Sequence, residues 1–147
     1  MSPALMGASP WEWVLGLAVL AAGGALGALL RLTLQEHLPR RGVLAANTLA
    51  AGVLGFSLAL ALPSLVYASG LAGDPLGAAG LLVASLTAGF CLALGTWSTV
   101  AGQTADAVLA GRWGAAGRIW AAHLGLGLVA GVVGWGAGLG LHAVLAG

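Results

Sequence analysis

Gly95-Thr96-Trp97-Ser98-Thr99 places three hydroxyls and an indole N–H within five positions of an otherwise apolar run. Hydroxyls donate and accept hydrogen bonds, and an indole N–H only donates. Asn47, inside a second apolar run, adds an amide that donates through its NH2 and accepts through its carbonyl. His123, inside a third, could donate to an anion. No nucleophile–base pair and no cluster of metal-ligating side chains accompanies these groups within the apolar runs, so they do not read as an enzyme. They read as groups that can replace part of the water shell of a small ion.

Each residue also has a plainer reading. A lone Thr or Ser in a helix bonds back to a carbonyl of its own helix. Thr96, Ser98 and Thr99 flank an expected break together, which favours an ion path. Asn47 could instead join two helices through a hydrogen bond worth about 0.6–2 kcal/mol. Trp97 offers an electropositive ring edge and a donor N–H to an anion, or fills the core. His123 is an anion donor or a packing residue.

These groups have to be positioned by elements suited to lipid. The run around them extends over residues 75–109, and one straight crossing takes about 20 residues. Irregular backbone and clustered hydroxyls at membrane depth are tolerated only beside protein or a water-filled cavity. The run therefore reads as a broken helix, opening over residues 92–96, whose freed carbonyls and hydroxyls face an ion path. Composition agrees. The 147 residues are 60% hydrophobic and 6% charged, with a mean hydropathy of +1.03. Soluble domains carry about 25% charged residues. The 26 glycines suit close helix approach in lipid.

The fold class expected is all-α integral membrane, a single domain over residues 1–147 with four transmembrane helices, the third broken near its middle. The spans are residues 13–34, 43–68, 76–109 and 118–145. The pairs Gly23/Gly27, Gly127/Gly131 and Gly134/Gly138 have the spacing of helix-packing faces. The single Cys91 excludes an internal disulfide and reads as a small packing residue. No Lys or Arg precedes Arg31, so no signal peptide is expected. A net charge of +1 gives no reason to expect nucleic acid.

Arginines set the expected orientation. Arg31, Arg40, Arg41, Arg112 and Arg118 all fall at or near connectors one and three. The positive-inside rule puts those connectors in the cytoplasm and both termini outside a cell membrane. Arg31, late in span one, snorkels to the interface. Trp11, Trp13, Trp113 and Trp120 read as interfacial anchors, and His37 and His142 as solvated groups. Glu12, Glu36, Asp74 and Asp106 all lie at span ends or connectors. A proton-coupled exporter usually carries a carboxylate at depth, and none is found.

Three segments together resemble the Fluc/CrcB family of fluoride ion channels. Gly24-Ala25-Leu26-Gly27-Ala28-Leu29-Leu30-Arg31 is similar to its first-span pattern of glycines followed by arginine. Gly42-Val43-Leu44-Ala45-Ala46-Asn47, with Gly55 beyond, resembles the segment that carries its pore asparagine. Gly89-Phe90-Cys91 and then Thr96-Trp97-Ser98-Thr99 resemble the third-span signature, usually written GFCGGxTTFSTF. The resemblance covers essentially the whole chain, and the third segment is the most specific.

The resemblance implies an antiparallel dimer of four-span subunits with two narrow anion pores, through which fluoride leaves the cytoplasm passively. It implies a structural sodium ion (Na+) at the dimer centre, held by backbone carbonyls at Leu92 and Gly95. Asn47 then matches the pore asparagine, Thr96 and Ser98 the polar track, Trp97 the first pore phenylalanine and Val100 the second. The chain departs from the pattern at several positions. Val100 offers no aromatic edge. Gly95 stands where threonine is usual, Leu92 where glycine is, Val43 where threonine is, Gln103 where glutamate is, and His123 where serine is frequent.

The arginine bias fixes one orientation, whereas an antiparallel dimer needs two. The expected partner is therefore a homologous subunit of opposite bias in a heterodimer, with a homodimer as the alternative. Two other functions stay open. One is a non-conducting structural subunit that completes a partner's pore. The other is a small four-span secondary exporter.

Overall fold

Residues 10–39, 41–68 and 77–146 are described by a computed structural model. Arg40, the connector at residues 69–75 with Asp74, and the expected start of span three at Leu76 lie outside them. The described chain forms five helices: α1 Pro10–His37, α2 Gly42–Ala68, α3 Gly77–Leu94, α4 Trp97–Leu109 and α5 Trp113–Ala146. Four segments are long and apolar enough to cross a membrane, the third being Val83–Leu109, which comprises most of α3 and all of α4.

Glycine determines which helices meet. Within lipid, apolar burial does not drive helices together, so close backbone approach and van der Waals contact must. α1 lies along α3, and α2 along α5. A Cβ added at Gly23 would strike the carbonyl of Leu86, at Gly27 that of Phe90, and at Gly89 that of Leu20. The second pair closes in the same way, with Gly134 against the Gly52 carbonyl and Gly138 against that of Phe56. Gly131 takes part through its own carbonyl, which would meet a Cβ at Gly55. Gly127 does not belong to the tight seam, because a Cβ there would lie an ordinary 4.0 Å from Ala51.

The third span breaks where its sequence expects, but over a shorter stretch. α3 continues through Leu94, so Leu92 is helical and only Gly95 and Thr96 lie between the helices. The Gly95 N–H still donates to the Cys91 carbonyl at 2.9 Å, completing the last turn of α3. Thr96 then turns extended, with φ −148° and ψ 111°. Fully buried Leu94 pins this corner against Ala46 and Ala50 of α2, with Leu30, Leu34 and Phe90 packed around it.

Span four starts five residues earlier than the arginines suggest, because α5 begins at Trp113. A tight turn makes this possible. Gly111, at φ +70°, donates to the Val108 carbonyl, and Arg112 donates to that of Ala107, each at 2.8 Å. This glycine-closed helix end satisfies carbonyls that α4 would otherwise leave bare.

Candidate functional site

The break would leave backbone groups unpaired at membrane depth, and Asn47 takes up two of them. In a continuous helix the Thr96 N–H would donate to the Leu92 carbonyl. Instead it donates to Asn47 Oδ1 at 2.7 Å. Asn47 Nδ2 leans on the Thr96 carbonyl at 3.4 Å and lies 3.1 Å from His123 Nδ1. One half-buried amide on α2 thus ties together the break and α5. The helix-joining reading of Asn47 holds, and the residue also lines the cavity beside the break.

The three hydroxyls do not bond back to carbonyls of their own helix. Thr96 Oγ1 lies 3.1 Å from Ser98 Oγ and 3.3 Å from Thr99 Oγ1. Thr104, one turn beyond Val100, does bond back, donating to the Val100 carbonyl at 2.8 Å. Because the Thr96 hydroxyl is engaged there, α4 has no side-chain cap. Its first N–H groups, at Trp97, Ser98 and Thr99, have no intrahelical partners. The sequence reading missed these donors. The signal for them is Thr96 itself, a capping-type residue just before a helix.

A cavity of about 800 Å³ opens beside the break. Asn47, Thr96 and His123 supply its polar lining, Trp97 stands at its side, and Leu54 and Leu128 lie on its apolar wall. Ser98 and Thr99 do not line it, and they reach it only through the Thr96 hydroxyl. Cys91 is a buried member of this lining, consistent with packing. Arg31, half-buried on α1, takes no part in the lining.

Trp97 does not fill the core, being 59% exposed. It stacks obliquely on Trp120, with ring centroids 5.4 Å apart and planes 32° apart. The early start of α5 places Trp120 two turns into that helix. Val100 is fully buried, so within this subunit its side chain lines nothing.

Diversion of the Thr96 N–H to Asn47 leaves the Leu92 carbonyl without its helical donor. Among the described residues no backbone N–H outside the regular helices reaches the Gly95 carbonyl either. Bare carbonyl oxygens suit a hard cation, so the residues fit such an ion. No group of three or more His, Cys, Asp or Glu that could hold a metal occurs among the described residues.

The family model described as CrcB-like protein, Camphor Resistance (CrcB), matches residues 18–135. The chain belongs to this family. The match takes in α1 from its third turn onward, the broken third span and α5 as far as Trp135. It therefore includes Asn47, Thr96 and His123. Neither a comparison with curated proteins nor one with solved structures finds a match. Family and helices together make the chain a multi-pass membrane protein.

Proposed function

We propose that this chain is a subunit of a passive, fluoride-selective channel of the cell membrane. The observation that carries the reading is the Asn47 amide, which bridges the break in the third span beside an open cavity. Fluoride is small and strongly hydrated, so its dehydration has to be offset by close donors. The Asn47 amide, the Thr96 hydroxyl with Ser98 hydrogen-bonded behind it, and the Trp97 edge supply donors without a fixed positive charge. That suits conduction, which requires binding weak enough for release. The bare N–H groups opening α4 add the positive end of a helix dipole.

A working channel needs the open side of the cavity closed. The subunit's partner in this reading is a homologous chain in the opposite orientation. Complete segregation of the arginines favours a heterodimer, with connectors one and three cytoplasmic and both termini outside. A sodium ion held by the Leu92 and Gly95 carbonyls would add a positive field near the anion path. The burial of Val100 keeps one second reading in play, that of a subunit completing a partner's pore without conducting itself.

Fluoride efflux from liposomes tests the proposal, with this chain alone and with its opposite-bias homologue. Efflux that needs both chains and is reduced by Asn47→Ala supports it. Fluoride-tight liposomes with both chains present would refute it. Efflux indifferent to Asn47 and Trp97 would assign this chain the passive role. A stable, conducting antiparallel homodimer of this chain alone would exclude the heterodimer.

A further inference from the structure

The hydrogen bonds across the break fix the position of one proton. A backbone N–H only donates, so the Asn47 atom that meets Thr96 N at 2.7 Å is its oxygen. The other amide atom is then the nitrogen, which can only donate. That nitrogen lies 3.1 Å from His123 Nδ1. A donor at that distance requires a bare Nδ1, so the single proton of the neutral ring sits on Nε2.

We propose that His123 is a positioning residue for Asn47: its bare Nδ1 holds the amide across the break, and protonation there releases the amide and shuts down anion flux. The flux half of this statement rests on the channel reading above. The tautomer half does not.

The network tolerates one protonation state. An imidazolium carries N–H groups on both nitrogens and accepts nothing. Its Nδ1–H would face the Asn47 NH2 at 3.1 Å, donor against donor. Turning the amide over brings no relief, because its nitrogen would then meet the Thr96 N–H. Ring and amide must separate, and the tie between α2, the break and α5 is lost. A serine in place of His123 could either accept or donate and would not impose this condition. The neighbouring elements contribute few competing charges. Cys91 of α3 is the other titratable residue lining the cavity. α2 has no charged residue. On α4, Asp106 is ten residues beyond Thr96, about 15 Å along the axis. On α5, Arg118 lies five residues before His123, about 7 Å.

Two measurements on the full chain test the proposal. The first is nitrogen NMR of the protein in lipid bilayers with ¹⁵N-labelled histidine, the His123 signals being assigned by their loss in His123→Asn. The expected spectrum at neutral pH has Nε2 protonated and Nδ1 bare, and a protonated Nδ1 overturns the proposal whether or not the protein conducts. The second is fluoride efflux from proteoliposomes of the conducting assembly at equal pH on both sides. Protein-free vesicles correct for hydrogen fluoride crossing the lipid. Wild-type efflux should fall severalfold as the pH is lowered from about 7.5 through the range over which histidine changes charge. His123→Leu, lacking an acceptor, should conduct poorly throughout. His123→Asn places a non-titrating oxygen near the former Nδ1, so it should restore efflux toward the wild-type level and flatten the pH response. Parallel pH profiles for wild type and His123→Asn would overturn the proposal. If no variant conducts at any pH, the channel reading fails, and the NMR result decides the tautomer on its own.

Discussion

Replacing Asn47 by Ala and by Asp separates what its two amide atoms do. Ala removes the 2.7 Å bond from Thr96 N–H, the 3.1 Å contact with His123 and the weak 3.4 Å contact with the Thr96 carbonyl. Polar contacts between membrane helices average about 0.6 kcal/mol and reach about 1.7. Two good bonds and one long one therefore amount to about 1–3 kcal/mol. The lower half of that range is expected, because Asn47 is only half-buried and lines a cavity that can supply substitute partners. Asp keeps the acceptor for Thr96 N–H but loses both donations and adds the desolvation cost of a carboxylate at membrane depth, so it should destabilise at least as much as Ala. Its negative charge in an anion path should also reduce fluoride efflux at least as strongly. Unfolding in mixed micelles gives the stabilities, and liposome efflux gives the flux. A change below about 0.5 kcal/mol for Asn47→Ala, the range of an inconsequential surface substitution, would refute the bridging role. Efflux in Asn47→Asp equal to wild type would refute the donor role.

Packing supplies a contrast between glycines. Gly23→Val puts a side chain against the Leu86 carbonyl and should cost about 1–3 kcal/mol, whereas Gly136→Ala meets open space and should stay within about 0.5 kcal/mol in the same unfolding assay. At the break, a Cβ on Gly95 would lie 3.2 Å from the Cys91 carbonyl and 3.7 Å from Asn47 Oδ1, so Gly95→Val should lower efflux more than Gly95→Ala does. A double-mutant cycle of Trp97→Ala and Trp120→Ala should return a coupling of about 0.5–1.5 kcal/mol, and no coupling would mean the stacked pair is incidental. Moving the arginines from connectors one and three to the termini should invert the chain, as read by labelling of single cysteines from either side.

What was legible in the sequence follows from where lipid imposes a simple rule. Span number and the break could be read because a crossing has a fixed length and polar clusters at depth need a reason. Asn47 stood out as an amide inside an apolar run. Its pairing with Thr96 and His123 was not readable, because residues 49 and 76 positions away meet only after helices pack. The expected start of span four fell too late for a related reason, since it depends on the turn at Gly111, which forms only in the folded chain. Val100 was read from an aligned motif, which says nothing about which way a helical residue faces. Gly127 shows the same limit, since GxxxG spacing identifies a candidate seam without identifying its partner.

The absence of charge at depth becomes intelligible once the break is viewed as two helix ends. α3 finishes at Leu94 and α4 starts at Trp97, with two residues between. The C-terminal end of a helix carries about half a negative charge in its unpaired carbonyls, and the N-terminal end about half a positive charge in its unpaired N–H groups. Breaking one span in mid-membrane therefore creates adjacent sites of opposite sign from backbone alone. A buried carboxylate or arginine doing the same job would incur the desolvation cost of a full charge. Asn47 makes the arrangement tolerable by engaging both the N–H and the carbonyl of Thr96, one of the two residues that belong to neither helix. What it leaves bare, the Leu92 carbonyl on one side and the first N–H groups of α4 on the other, are the groups an ion of either sign could use.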